Sequence, residues 1–454
     1  MKTIAAIATA PVSGPVGILR LSGDEAIRIA EAVFSPANGK KLSQCAEREL
    51  IYGNLINGEG KIIDSCLAVR MPGPHSYTGE DCAEIHCHGS MEILRQGLAA
   101  LFAQGAQPAA PGEYTKRAFL NGKMGLSEAE AVNDLICAQT AQAVENAAAQ
   151  MRGVMGKKIQ KIRQDIMDIV SNFYAVVDFP DEEIDESLFE KAQEVLHNAT
   201  GELYALAESY EKGRMLREGI PCAILGKPNA GKSSILNAMA GFDRAIVTDI
   251  PGTTRDIVEE CVQVGPVVLR LADTAGLRET EDPVERIGIQ KAMERANEAA
   301  LVLSVFDSSS ELTDEDLMVI ARAGSKRSIA IINKEDLECK LDIGFIKSHF
   351  QNTVEVSVKT GEGIPALMHM IEQVIGVADL KCDGELITNA RQAAALARAA
   401  ERCEESFFAA ESGMTPDAVV MDAEGAIAAL GEVTGQSVTD DIVDNIFANF
   451  CVGK

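Results

Sequence analysis

The residues with the most definite chemistry are Gly226-Lys227-Pro228-Asn229-Ala230-Gly231-Lys232-Ser233, a G-x-x-x-x-G-K-S order. Its glycines free the backbone to turn N–H groups inward around a polyphosphate. Lys232 is placed to reach the β- and γ-phosphates, and the Ser233 hydroxyl to bind Mg²⁺. Further on, Asn333-Lys334-Glu335-Asp336 offers a carboxylate that accepts both the N1–H and the exocyclic amine of guanine. Adenine presents no such pair of donors. The chemistry implied is binding of GTP rather than ATP.

Three more stretches complete that reading. Asp273-Thr274-Ala275-Gly276 brings a carboxylate near Mg²⁺ and a backbone N–H near the γ-phosphate. Gly252-Thr253-Thr254-Arg255-Asp256 stands where a switch threonine meets the metal, and Ser357-Val358-Lys359 where a loop covers the base. One expected residue is missing. The position after Asp-x-x-Gly, a water-orienting Gln in Ras-like enzymes, is Leu277, which cannot polarise water. Either hydrolysis is slow or another group serves; Glu281, Asp282 and Glu285 are the spare carboxylates of the charged segment that follows.

These residues need strand ends and a helix to hold them. Apolar runs at 220–225, 267–272, 328–332 and 353–356 each lead into one of the motifs, and 234–240 reads as the helix behind the phosphate loop. That helix adds partial positive charge at its N-terminus. Ahead of this region, residues 1–120 read as mixed α/β. Strand-like runs at 4–8, 16–21, 49–55, 65–70 and 82–88 are separated by turn chemistry such as Asn57-Gly58 and Pro72-Gly73-Pro74. Helical periodicity covers 24–34, with Asp24 as N-cap, and 90–103.

From Ser127 the chain turns helical. Ser127-Glu128-Ala129-Glu130 reads as a capping box, and helices are expected over 128–151, 157–177, 188–216, 389–410, 416–434 and 440–450. The simplest arrangement is an N-terminal domain (1–120) and a GTPase domain (217–378) inserted into a helical domain drawn from both flanks (121–216 and 379–454). Two independent helical domains are the alternative.

Composition sets outer limits. The 454 residues carry a net charge of −26, which argues against a chain that coats nucleic acid by itself; a local basic patch or a partner-held RNA remains compatible. Eleven cysteines, an odd number with no C-x-x-C pair, fit reduced thiols in a cytoplasm, and no signal peptide opens the sequence. No uncharged apolar run approaches the ~20 residues that cross a bilayer. Cys82, Glu84, His86 and His88 would share one face of a strand and are metal-ligand types, but no second ligand pair stands at zinc-finger spacing.

The Gly-x-Pro-Asn-Ala-Gly-Lys-Ser loop, the switch ending Gly252-Thr253-Thr254-Arg255-Asp256 and Asp273-Thr274-Ala275-Gly276-Leu277-Arg278 resemble MnmE (TrmE), a family of tRNA-modification GTPases. Gly17-Ile18-Leu19-Arg20, Ser76-Tyr77-Thr78-Gly79-Glu80-Asp81, Pro111-Gly112-Glu113-Tyr114 and Arg117-Ala118-Phe119-Leu120-Asn121 are similar as well. So are Asp178-Phe179-Pro180-Asp181-Glu182-Glu183 and the terminal Phe450-Cys451-Val452-Gly453-Lys454, so the resemblance runs from residue 15 to 454. It implies an N-terminal α/β folate-binding domain that dimerises, a helical domain from two segments, and an inserted Ras-like P-loop domain. It also implies a homodimer that joins a flavoprotein, MnmG, in a heterotetramer. Together these modify the wobble uridine of certain tRNAs with an aminomethyl or carboxymethylaminomethyl group. The one-carbon donor is a tetrahydrofolate, as the 5-formyl or methylene derivative.

Residue by residue, the resemblance puts K⁺ on Asn229, Thr248, Ile250 and Thr253, Mg²⁺ on Ser233 and Thr254, and the water-positioning carboxylate on Glu285. Nucleotide contacts fall on Asn229 to Ser234 (Ala230, Gly231, Lys232, Ser233 and Ser234), and on Thr248, Asp249, Ile250, Pro251, Gly252, Thr253 and Thr254. They continue at Asp273, Thr274, Ala275, Gly276, Asn333, Lys334, Asp336, Ser357, Val358 and Lys359. Folate contacts fall on Arg20, Glu84, Lys123 and Lys454: a pterin is a guanine-like donor ring that suits a carboxylate, and its glutamate tail suits Lys or Arg. Cys451 stands beside them, as nucleophile, proton donor or simply a packed thiol. A ribosome-assembly GTPase is the rival reading, and it has no use for a folate site.

Overall fold

The computed structural model describes residues 2–178, 186–242, 260–272, 299–323, 327–378, 380–448 and 450–453. Strands β1 (Ile4–Ile7), β2 (Gly14–Ser22), β3 (Phe34–Pro36), β4 (Ile51–Ile56), β5 (Ile62–Met71), β6 (Cys82–Gly89) and β7 (Gln107–Pro108) form a seven-stranded sheet, order β3-β4-β5-β6-β2-β1-β7. Along β6, Ala83, Ile85 and Cys87 join a core with residues of α1 (Ala26–Val33) and α2 (Met91–Ala103). The alternate residues Glu84, His86 and His88 are more exposed, as a period of two requires. Register sets Arg20 of β2 directly opposite Glu84 of β6. A slip of either strand by one residue would send its own member of the pair to the core face.

Several helix boundaries differ from the sequence expectation, each for a visible reason. Helix α1 starts at Ala26, with Glu25 rather than Asp24 at the N-cap and no side-chain cap; the Glu25 N–H is held by Thr3 Oγ1 at 2.9 Å. After α3 (Glu113–Leu120), helix α4 (Leu126–Cys137) begins one residue ahead of the expected Ser127 cap. Leu126 is drawn into a buried cluster with Ala129, Val443 and Phe447, and Glu128 Oε2 reaches back to the Gly125 N–H at 2.8 Å. The expected helix 128–151 breaks before α5 (Ala141–Met151). There Thr140 Oγ1 accepts the Ala143 N–H at 3.1 Å, a cap, and donates to Pro266 O at 2.9 Å.

Beyond α6 (Val154–Asp178), the expected helix 188–216 is likewise two, α7 (Glu186–Glu208) and α8 (Tyr210–Glu218). Ser209 at the break accepts the Ile387 N–H at 3.0 Å. Gly213 then lies so near Ile387 O that a Cβ would come within 2.0 Å of it.

The second sheet carries the nucleotide motifs. β8 (Ile220–Leu225), β9 (Glu260–Val264), β10 (Val267–Ala272), β11 (Leu301–Asp307), β12 (Ser328–Asn333) and β13 (Asn352–Glu355) pair in the order β13-β12-β11-β8-β10-β9. All pairs are parallel except β9 with β10. The sequence reading leaves out β11, which is buried at every position, as a central parallel strand covered on both faces must be. Helices α9 (Lys232–Phe242), α10 (Asp314–Ala323), α11 (Ile343–His349) and α12 (Ile364–Ile375) follow β8, β11, β12 and β13. The order is that of a doubly wound α/β fold, whose ligands bind beyond the carboxyl ends of the strands. α13 (Ala390–Glu411), α14 (Pro416–Thr434) and α15 (Asp440–Ala448) close the chain.

The chain divides into two compact units. One comprises Met1–Asn133, Gln150–Gly201 and Arg398–Lys454, the other Asp134–Ala149 and Glu202–Ala397. In the first, α6 packs along α14, with Tyr174 OH donating to Glu424 Oε1 at 2.8 Å. In the second, buried Asp134 receives Arg217 Nε at 2.9 Å and the Thr388 hydroxyl at 2.6 Å. Segments from before and after the parallel sheet thus join within the same unit. Among the described residues no helix is long and apolar enough to cross a membrane.

Candidate functional site

β8 delivers the chain into the phosphate loop. Gly226 lies where a Cβ would stand 2.5 Å from Val305 O, and Gly231 (φ +99°) where it would stand 2.1 Å from Asn333 Nδ2. Neither place admits a side chain, so both glycines are dictated by close approach. Asn229 turns the loop at φ 61°, a left-handed conformation that Asn tolerates better than most residues. Lys232, at the start of α9, curls back across the loop. Its Nζ donates to Gly226 O at 2.8 Å and Lys227 O at 2.9 Å, and burial lowers its pKa, with Glu315 opposing.

The base-recognition motif meets this loop through a single side chain. Buried Asn333, at the end of β12, donates Nδ2–H to Ala230 O at 2.9 Å, and its Oδ1 accepts the Val358 N–H at 3.5 Å. Asp336 Oδ1 accepts the Ser357 hydroxyl at 2.8 Å, and Lys359 Nζ lies 3.4 Å from Oδ2. The Ser357 bond, aided by Lys359, holds the Asp336 carboxyl below the usual carboxylate range. Lys334 (φ 68°) pairs with Asp307 Oδ2 at 2.5 Å. Asn229, Gly231, Lys232, Ser233, Ser234, Asn333, Lys334, Asp336, Val358 and Lys359 then line one cleft of about 600 Å³. Ala230 is buried behind them. Sequence motifs separated by more than 100 residues are thereby brought to one cleft, as a single polyphosphate–base ligand demands.

A second polar cluster lies on the N-terminal sheet. Arg20 Nε meets Glu84 Oε1 at 2.8 Å, and Arg20 Nη1 donates to Gly453 O at 3.3 Å. His86 Nε2 stands 3.0 Å from Glu84 Oε2. The His86 bond holds the Glu84 carboxyl below the usual range, burial works against it, and Arg20 adds to the lowering. The Arg20 guanidinium lies 5.8 Å from the Tyr114 ring centroid, and Tyr114 OH donates to Arg20 O at 2.7 Å. The C-terminal residues are stitched alongside: Gly112 N–H donates to Cys451 O at 3.2 Å, and Pro111 bridges Val452. Lys123 Nζ is bonded to Pro74 O at 2.9 Å, and Cys451 is exposed.

His86 is the member of this cluster to which the sequence reading gave no folate role. Its only signal was the two-residue spacing from Glu84 on one strand. The metal-ligand types of β6 are committed elsewhere. Cys82 Sγ packs at 3.3 Å from Thr78 Oγ1, and His88 Nδ1 sits 2.8 Å from Asp64. No group of three or more His, Cys, Asp or Glu gathers as a metal site among the described residues. Thr248, Asp249, Ile250, Pro251, Gly252, Thr253, Thr254, Asp273, Thr274, Ala275, Gly276, Glu285 and Lys454 lie outside the described residues.

Comparison with known proteins identifies the family. Residues 3–123 match the family described as GTP-binding protein TrmE N-terminus, and residues 126–451 match the MnmE helical domain. The chain is 41% identical over 455 residues to a tRNA modification GTPase MnmE of Clostridioides difficile, covering 100% of this chain and 99% of that one. It is 42% identical over 457 residues to that of Symbiobacterium thermophilum, with the same shares covered. Full-length identity of about 40% to tRNA modification GTPases, on a chain that carries a phosphate loop, makes this a GTP hydrolase. The chain belongs to the MnmE (TrmE) family of tRNA modification GTPases.

Proposed function

We propose that GTP hydrolysis by this chain drives modification of the wobble uridine of certain tRNAs, in concert with a flavoprotein, MnmG. The product carries an aminomethyl or carboxymethylaminomethyl group at that base. The observation that carries this reading is the presence, on one chain, of a cleft lined by the phosphate-loop and Asn333–Asp336 motifs and of an Arg20–Glu84 cluster bonded to the C-terminal residues. The names of the relatives support it. The working form is a cytoplasmic homodimer, joined with MnmG in a heterotetramer, and the acidity of the chain (net charge −26) leaves much of the phosphate contact to the partner. The domains are 1–120, 121–216 with 379–454, and the inserted 217–378.

In the nucleotide cleft, Lys232 exchanges its carbonyl partners for the β- and γ-phosphate oxygens, and Asp336 accepts the guanine donors. Ser233 and Thr254 would hold Mg²⁺, with Asp273 as a further carboxylate for it by its place in the sequence. Asn229, Thr248, Ile250 and Thr253 would hold K⁺; the exposed, left-handed turn at Asn229 fits a side-chain carbonyl offered to a cation. Bound there, K⁺ would offset negative charge developing on the phosphates. GTP turnover is expected to be at least about tenfold faster in KCl than in NaCl at equal ionic strength, because Na⁺ is too small for the same cage. Equal rates would remove K⁺ from the scheme.

The Arg20–Glu84 cluster suits a pterin. An ionised Glu84, held by His86 and Arg20, is an acceptor for the ring N–H groups, and Arg20, Lys123 and Lys454 suit the carboxylates of the tail. The tetrahydrofolate derivative would supply the one-carbon unit. Glu84→Gln replaces one acceptor oxygen by a donor. Wild-type chain is expected to bind 5-formyltetrahydrofolate in equilibrium dialysis, and the variant about tenfold more weakly or worse. Equal binding by the two would take the folate away from this cluster.

A further inference from the structure

Lys227 belongs to the phosphate loop but does not line the cleft. Its Nζ donates to Asp316 Oδ2 and to Ser310 Oγ, each at 2.8 Å, and its side chain is 12% exposed against 1% for Asp316. Asp316 Oδ2 also accepts the Thr313 N–H at 3.0 Å and the Thr313 hydroxyl at 2.8 Å, where α10 begins. One carboxylate oxygen therefore serves a helix start and the phosphate loop together. The other, Oδ1, is buried without a hydrogen-bond partner among the described residues. A buried carboxylate in this position depends on its one cation staying in place.

The far end of the same segment holds the base motif. Asp307 pairs with Lys334, Ser308 Oγ donates to Lys334 O at 2.9 Å, and Ser310 Oγ lies 3.3 Å from Asp307 O. Residues 307–316 thus brace the phosphate loop at one end and the guanine loop at the other. The backbone of Lys227 is also the one on which the loop turns: its carbonyl accepts both Lys232 Nζ at 2.9 Å and the Ala230 N–H at 3.3 Å. Shifting residue 227 therefore shifts the group that binds phosphate.

We infer that Lys227 and Asp316 are a positioning pair that sets the phosphate loop for nucleotide, and that Lys227 leaves the pair half satisfied. Arg in its place carries a planar fork that donates to both oxygens of a carboxylate. The inference rests on the phosphate loop holding the nucleotide, so the experiment first checks that. Full-length wild-type chain should bind methylanthraniloyl-GDP, and Lys232→Ala should not; failure here would overturn the nucleotide site, not the pair.

Lys227→Met keeps the stem and removes the charge. It should weaken methylanthraniloyl-GDP binding about tenfold or more and lower Tm. Lys227→Met with Asp316→Leu removes both charges, so Tm should recover while affinity stays low. Lys227→Arg should bind the nucleotide at least as tightly as wild type and melt higher. If Lys227→Met binds as wild type does, or if the double variant regains affinity together with Tm, the pair only holds the fold together and the inference is overturned.

Discussion

Asp336→Asn should abolish guanine selectivity while leaving the fold intact. In the cleft, Asp336 is an ionised acceptor fixed by Ser357 and Lys359. Its lowered pKa means both oxygens stay acceptors as the pH falls toward the ordinary carboxylate range, and selectivity fades only below it. An Asn amide would turn an N–H₂ toward one of the two guanine donors, leaving both unpaired. Sites that read a hydrogen-bonding group reject the mismatched ligand by ~10⁴-fold in favourable cases, so a loss of at least ~10²-fold in GTP affinity is expected. Xanthosine triphosphate carries a carbonyl where guanine has its amine and should bind the variant better than GTP. Competition against methylanthraniloyl-GDP measures both. A variant that still prefers GTP would show that Asp336 does not read the base.

Glu285→Ala should leave nucleotide affinity nearly unchanged and lower turnover by ~10²-fold or more, the scale of losing a group that orients the attacking water. Leu277 has no polar atom to offer that water, and the resemblance to the family assigns the task to Glu285 in the segment that follows. Single-turnover hydrolysis and equilibrium binding, measured on the same preparation with K⁺ present, separate the outcomes. Affinity falling in step with turnover would make Glu285 a structural residue.

What was legible in the sequence follows from how local each constraint is. The phosphate loop, Asn333–Asp336 and Ser357–Lys359 each lie within a few residues and keep their meaning without tertiary context. The structure gathers them into one cleft. The strand pattern of the N-terminal domain was legible too, since period-two burial on β6 already separates Glu84 and His86 from Ile85 and Cys87. Helix ends were not. Leu126 extends α4 because Phe447, far along the chain, gives it a buried place, and Ser209 interrupts a helix to receive the backbone of Ile387. The brace at 307–316 was equally hidden: Asp316 reads as an ordinary first-turn acid of α10 until Lys227 is seen beside it.

The two hydrogen bonds of Asn333 have a kinetic consequence. One amide grips the phosphate loop through Ala230 and the base-covering loop through Val358. The guanosine half and the polyphosphate half of the cleft are therefore not two footholds that a departing nucleotide can release in turn. Loosening either half would disturb the amide that shapes the other, as in a chelate whose halves let go together. Release of methylanthraniloyl-GDP is therefore expected as a single kinetic phase that Asn333→Ala accelerates, and two separable phases would show that the halves let go independently.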